Sequence, residues 1–200
     1  MAGESPLHAF LKRVGSAFLV NQGCFLVDTE VPLSRTGRTH ELDDHRVVDV
    51  CGVGERLFEA ERGLLADYAG LTGGRPEVKR NVLRGVEVKV SRPDFRNGFF
   101  CSGCNFNYLL TPMRLVSPWE MPRGVGLVEY NRYKFSVELA EGRFAFRGLR
   151  VVRKASFRRV GQHQIDNATA QMVRRRLDGG SEVLLVELLE GHSENGYNGQ

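Results

Sequence analysis

Two hundred residues, 42% of them hydrophobic and 26% charged, suit one globular domain with a full core, with or without an appendage. The net charge is +4, and no apolar run approaches the roughly 18 residues that a membrane helix needs. The opening stretch MAGESPLHAFLKR has no apolar core after its charges and does not read as a signal peptide, so an intracellular, cytoplasmic chain with reduced cysteines and no membrane partner is expected.

Residues 5–20 predict a helix. Ser5 suits the cap and Pro6 the first helical position. Leu7, Phe10, Leu11, Val14 and Phe18 recur at helical spacing. Residues 24–31 and 45–53 are rich in strand formers and predict two strands joined by a polar loop. The stretch 54–80 is helical in composition and predicts a helical insertion. A third strand follows at 82–90. Ser91, Pro93 and Asp94 then give the start of a helix expected over 92–104. Strands are expected at 107–112 and 125–131, and two or three short ones within 134–154. Residues 163–178 predict a helix, 181–191 a helix or strand, and the polar tail is expected to be disordered. The layout is α/β, with a mixed central β-sheet flanked by helices.

Side chains alternate across a strand, so Glu87 and Lys89 share one face while Val86, Val88 and Val90 take the other. Central strands of α/β sheets are usually apolar on both faces. Two charges there imply either an exposed strand or a site. Asp49 likewise interrupts the valine-rich strand RVVDVCGV, and Glu30 lies on the first strand. Acids and a lysine from neighbouring strands can converge, the acids as hard oxygen ligands for Mg²⁺ or Mn²⁺. Such a metal polarises a phosphodiester and lowers the pKa of a bound water. A lysine beside it stabilises developing charge. The structural alternative is an exposed Glu–Lys pair worth little. Asp94 also reads as a helix-start acid favoured by the helix dipole, and Phe95 as core.

Between Arg147 and Arg176 nine Lys/Arg stand against one acid, Asp166, an excess of 9 − 1 = +8. The block suits either a polyanion or a solvated basic face. Arg92 and Arg96 sit beside the proposed site and read either as phosphate contacts or as solvated helix arginines. Cys101 and Cys104 form one C-x-x-C pair, half a zinc site, whereas Cys24 and Cys51 read as core. The five histidines show no ligand spacing and read as surface or core. Trp119 lies in a loop, as a plug or as a stacking residue.

A longer pattern ties these pieces together. Glu30 precedes Val31-Pro32-Leu33. After a polar loop come Arg46-Val47-Val48-Asp49, then Glu87-Val88-Lys89 and Ser91-Arg92-Pro93-Asp94-Phe95. Asn107 to Pro112, Pro122 to Val128 and Val151-Val152-Arg153-Lys154 complete the order. The series resembles the PD-(D/E)XK nuclease superfamily, and within it the MmcB-like proteins assigned to DNA repair and their phage-encoded relatives. It spans roughly residues 5–155. In the segment before Asp49 the family's usual Gly is His45 here and its second Arg is Val47.

The resemblance implies a restriction-endonuclease-like core and a hydrolase that cuts DNA. Asp49, Glu87 and Lys89 would be catalytic, Glu30 a fourth member, and Asp49 and Glu87 the ligands of Mg²⁺ or Mn²⁺. Arg46, Arg92, Arg96, Arg153 and Lys154 would be DNA contacts. Many members of the superfamily act as homodimers. The corresponding division is a nuclease-like domain over 1–155 and a basic helical extension with a flexible tail over 156–200. Two other functions compete with a metal-dependent nuclease. One is a catalytically inactive nucleic-acid-binding module of the same fold. The other is a cysteine–metal interaction protein.

Overall fold

The computed structural model describes residues 5–34, 45–59, 77–99 and 102–179. Helix α1 (Pro6–Asn21) starts as its sequence predicts, with Ser5 Oγ accepting the His8 N–H at 3.3 Å and proline in the first turn. Its apolar stripe of Leu11, Val14 and Phe18 is buried against the sheet. Gly15 lies where α1 comes closest. A Cβ there would meet Val50 Cγ2 at 3.3 Å and Val86 Cγ1 at 3.4 Å. This small residue brings the helix down onto the rung of the sheet that borders Asp49 and Glu87.

The sheet has six strands, β1 (Cys24–Ser34), β2 (His45–Glu59), β3 (Glu77–Val88), β4 (Phe106–Pro112), β5 (Gly126–Tyr130) and β8 (Leu149–Arg153), hydrogen-bonded in that order. β1, β2 and β3 are antiparallel neighbours, β3, β4 and β5 run parallel, and β8 closes the far edge antiparallel to β5. The sheet is therefore mixed. β6 (Ser136–Ala140) and β7 (Arg143–Arg147) form a separate hairpin. Its Phe144 and Phe146, with Phe135, join Phe10 and Tyr130 in the cluster beneath α1.

Helix α3 (Gln162–Leu177) lies on the opposite face. Ile165, Ala168 and Met172 pack there with Val31, Val48, Cys51, Val53 and Leu83. Helices thus cover both faces, which is the α/β layout expected. Residues 162–177 share a core with β1 and β2, so this part of the C-terminal extension belongs to the body of the domain. Arg175 donates to the Thr29 and Glu30 carbonyls at 2.8 and 3.0 Å, and Arg176 to the Val27 carbonyl at 3.2 Å. Those bonds satisfy backbone acceptors of β1, an edge strand that would otherwise offer a template for pairing.

The helix expected over 54–80 is corrected in part. Residues 54–59 and 77–80 continue β2 and β3, paired rung by rung from Gly54↔Val82 to Glu59↔Glu77. Continuous ladder pairing and the packing of Phe58 override local helix propensity here. The rest of that stretch, 60–76, lies outside the described residues, as do 181–191 and the tail. The helix expected over 92–104 is the single turn α2 (Arg92–Arg96), stopped by Asn97 and by Gly98 at φ +87°. Among the described residues no helix is long and apolar enough to cross a membrane.

Candidate active site

Regular alternation fails at the start of β1, where the register shifts between Cys24 and Leu26, and again further along β1 and β2, where the proposed acids sit. Val27 packs on the α1 face, yet Val31 and Leu33 pack on the α3 face. Between them Glu30 adopts φ +52°, a left-handed conformation rare for a residue with a side chain. On β2, Val50 faces α1 and Val48 faces α3, so the strand turns over at Asp49. The β1–β2 register sets Thr29 against Val50 and Val31 against Val48, which places Glu30 and Asp49 between those two rungs. The Arg175 bond to the Glu30 carbonyl holds this irregularity from the α3 side. Backbone strain of this kind persists only where the surroundings fix it, and it clusters at functional sites.

The irregularity brings Asp49 to β3. The β2–β3 ladder begins at Val50↔Val86. One residue further, Asp49 Oδ2 accepts the Val88 N–H at 2.7 Å. The carboxylate therefore rests on the peptide that joins Glu87 to Val88. The 37 residues between Asp49 and Glu87 do not separate them, because they leave and return along one ribbon.

Glu87 and Lys89 point together, as alternation predicts. Lys89 Nζ is 3.6 Å from Glu87 Oε1 and 3.2 Å from Asp94 Oδ1. Both Glu87 and Lys89 are largely buried, at 10% and 14% side-chain exposure. They are not an ordinary solvated pair. The Lys89 N–H donates to the Leu110 carbonyl, continuing the parallel ladder one residue past β3. Ser91 Oγ caps α2 through the Asp94 N–H, and Asp94 Oδ2 accepts the Val90 N–H. The helix-start acid thus also fixes the lysine.

Two α1 residues complete the cluster. Lys12 Nζ is 2.8 Å from Glu30 Oε1 and 3.8 Å from Asp49 Oδ1, with its own side chain only 9% exposed. His8 Nε2 is 3.6 Å from Asp49 Oδ2. The reading of His8 as plain surface or core is thereby corrected. Burial pushes the Asp49 carboxyl up, but the close His8 imidazole, the Val88 N–H and the Lys12 charge act the other way and win. Its pKa lies below the ordinary 3.8. His8 and Lys12 are four apart, hence on one side of α1, beside the apolar stripe, but that spacing does not say which acids they meet.

Glu30, Asp49, Glu87 and Lys89 are thus linked through Lys12, the Val88 peptide and direct pairing. Among the described residues no three His, Cys, Asp or Glu form a metal-holding group. Asp49 and Glu87 still supply the hard oxygen donors that suit Mg²⁺, which commonly takes one or two carboxylates and completes its shell with water and substrate phosphate.

The expected DNA contacts divide. Arg153 donates to the carbonyls of Val125, Pro118 and Pro122 at 2.7–2.9 Å. Its fork secures the 118–125 loop, so the guanidinium expected on DNA is committed to backbone. Arg92 pairs with Glu120 at 2.8 Å. Arg96 and Lys154 are exposed, and Arg46 lies on β2 opposite Leu33. In the basic block, Arg150 pairs with buried Glu129, and Arg175 and Arg176 hold β1. Arg147, Lys154, Arg158, Arg159 and Arg174 remain exposed. Trp119 stands 85% exposed on the short 3-10 turn Pro118–Glu120.

The cysteines do not form a metal site among the described residues. Cys104 is fully buried, with its Sγ 3.9 Å from that of Cys51. The contact with Cys104 and burial push the Cys51 thiol up, and burial pushes Cys24 up to about 12. Buried, protonated thiols behave as small apolar side chains. Cys101 lies outside the described residues.

No family model matches the chain, and no curated protein matches it. Among solved structures, a protein of unknown function from Silicibacter pomeroyi is similar at 14% identity with a TM-score of 0.47, over 99% of this chain and 100% of that one.

Proposed function

We propose that the chain is a divalent-metal-dependent DNA nuclease with a restriction-endonuclease-like core of the PD-(D/E)XK type, acting in DNA repair or in the processing of phage and mobile-element DNA. The observation that carries this reading is the Asp49 carboxylate seated on the Glu87–Val88 peptide, with Glu87 and Lys89 buried side by side. Buried charges at a strand irregularity cost stability and are a reasonable mark of function. The residues fit Mg²⁺ or Mn²⁺ at Asp49 and Glu87, and the ion would supply Lewis-acid polarisation of the scissile phosphate. Lys89, held by Asp94, places a positive charge where negative charge develops on that phosphate. Lys12 and His8 position Asp49 and keep it ionised. Arg96 and Lys154 are the remaining exposed candidates for DNA phosphates, in an intracellular setting and with a homodimer as one way to cut both strands.

The experiment is cleavage of duplex and single-stranded DNA with Mn²⁺, comparing the wild type with Glu87→Ala and Lys89→Ala. The expected result is a fall of about 100-fold or more in both variants, of the order lost when a transition-state donor is removed. Equal activity in all three removes the proposed site. A second reading has its own observation. Lys12 bridges Glu30 and Asp49 and already supplies a cation to the acids. An inactive nucleic-acid-binding module of the same fold would show salt-dependent binding without metal-dependent cleavage.

A further inference from the structure

The opposite end of the β2–β3 ribbon has a different chemistry. Arg56 and Arg80 stand directly opposite each other on the ladder. Like charges so placed destabilise a strand pair. The Arg56 guanidinium sits 4.8 Å above the Phe157 ring, 5.3 Å above Phe106 and 5.4 Å above Phe58. The Arg84 guanidinium lies 5.4 Å from the centre of the same Phe106 ring. Three arginines and three phenylalanines therefore converge where the ribbon meets the segment before α3.

A cavity of about 330 Å³ opens beside them. Phe58 and Phe157, in edge contact at 5.4 Å, give it an apolar wall. Arg80 and Arg159 are exposed at its rim, and among the described residues none that lines it is acidic. Gln162 and Ile165, from the first turn of α3, line the remaining side. That turn has no side-chain cap and no acid, so its opening N–H groups and the helix dipole add to the positive field, while the Gln164 N–H turns back to the Gly161 carbonyl and Asp166, further along α3, accepts from Gln162 Nε2 at 2.9 Å. The floor is settled: Asn105 accepts the Leu83 N–H and donates to the Arg158 carbonyl, which holds the segment carrying Phe157 and Arg159 in place.

We propose that this cleft binds a nucleoside phosphate, the ring against Phe58 and Phe157 and the phosphate between Arg80, Arg159 and the start of α3. Neither half alone fits the lining. A bare anion leaves the aromatic wall unused, and an apolar ligand leaves the arginines opposed. The volume is at the small end for ligand sites and accommodates one nucleotide unit. Aromatic faces accept any base, so recognition is of class and not of sequence. Arg80 is seven residues along β3 from Glu87, about 23 Å at strand rise. The cleft is thus separate from the carboxylate cluster, and the proposal stands whether or not that cluster cuts DNA. Its source is either a free mononucleotide or one unit of a single strand.

The test uses the full chain, with chelator present so that cleavage cannot contribute. A fluorescein-labelled oligothymidylate is followed by anisotropy, and AMP and inorganic phosphate are added as competitors. The Arg80→Ala/Arg159→Ala double variant is expected to bind at least tenfold more weakly and with a shallower salt dependence, each lost contact removing about 0.7 from the log–log slope. Phe157→Leu is expected to weaken binding with the slope unchanged. Lys79→Ala, on the same ribbon, should stay near wild type. Displacement by AMP assigns a mononucleotide pocket, and failure of AMP with retained oligonucleotide binding assigns a strand site. Wild-type affinity in the double variant and in Phe157→Leu overturns the proposal. So does phosphate competing as well as AMP, or no binding of either nucleotide probe. Circular dichroism of each variant separates a lost site from a lost fold.

Discussion

The two ends of the β2–β3 ribbon make a natural comparison. At the Val50↔Val86 end, opposite charges are buried together: Asp49 with Lys12 and His8, and Glu87 with Lys89. Near the Glu59↔Glu77 end, like charges face each other at Arg56 and Arg80, and aromatic rings lie against Arg56. The first end pairs its acids within the chain and is largely buried at Asp49, Glu87, Lys12 and Lys89, with Glu30 exposed. The second is exposed and leaves its positive charge to solvent. One ladder thus carries an acidic cluster paired within the chain and a basic pair with no acid partner among the described residues. Removing a charge should have opposite signs at the two ends.

The largest effect is expected at Lys12. Its ammonium is buried and compensates Glu30 and Asp49. Lys12→Met leaves the largely buried Asp49 without that charge, while Glu30 is 63% exposed, and should lower stability by about 1–3 kcal/mol, read as a shift of the urea midpoint at unchanged slope. A loss under about 0.5 kcal/mol, the range of an ordinary surface substitution, would erase the contrast between the ends.

Asp49 sharpens the same point through pH. Its carboxyl titrates lower in the folded chain than the ordinary 3.8. The unfolded state therefore binds more protons in that window, and stability rises with pH there. Asp49's contribution is fully present above the unfolded value and is lost as pH falls through the folded one. Urea midpoints collected below about pH 4 should fall less steeply for Asp49→Asn than for wild type. Parallel curves would mean that Asp49 gains nothing from His8, Lys12 and the Val88 amide.

The smallest effect has the reverse sign. Arg80→Gln removes one of two opposed charges and should raise stability by about 0.2–1 kcal/mol at low salt. The gain should fade as the Debye length shrinks, to about 3 Å at 1 M salt. A loss of stability that salt does not change would contradict like-charge repulsion at this rung.

Much of this arrangement was legible before any coordinates. α1 with its Ser5 cap, the strand cores and α3 follow from period and capping. The sharing of a face by Glu87 and Lys89 follows from alternation alone. Three features did not. The ribbon extension at 54–59 and 77–80 has helical composition, and its strands exist because they pair with each other. The left-handed Glu30 and the turnover at Asp49 break the alternation on which strand reading depends. The roles of Lys12 and of Arg153 depend on what lies across the fold, on β1 and β2 for one and on the 118–125 loop for the other. Long-range partners of a flexible cation leave no local pattern.

The central claim is that Asp49 and Glu87 jointly hold one divalent cation. Titration of the full chain with Mn²⁺, followed by electron paramagnetic resonance, tests it most directly. The account predicts one bound ion per chain in the wild type, lost in both Asp49→Asn and Glu87→Gln and retained in Arg80→Gln. Absence of bound Mn²⁺ in the wild type, or binding that survives both carboxylate substitutions, would contradict it.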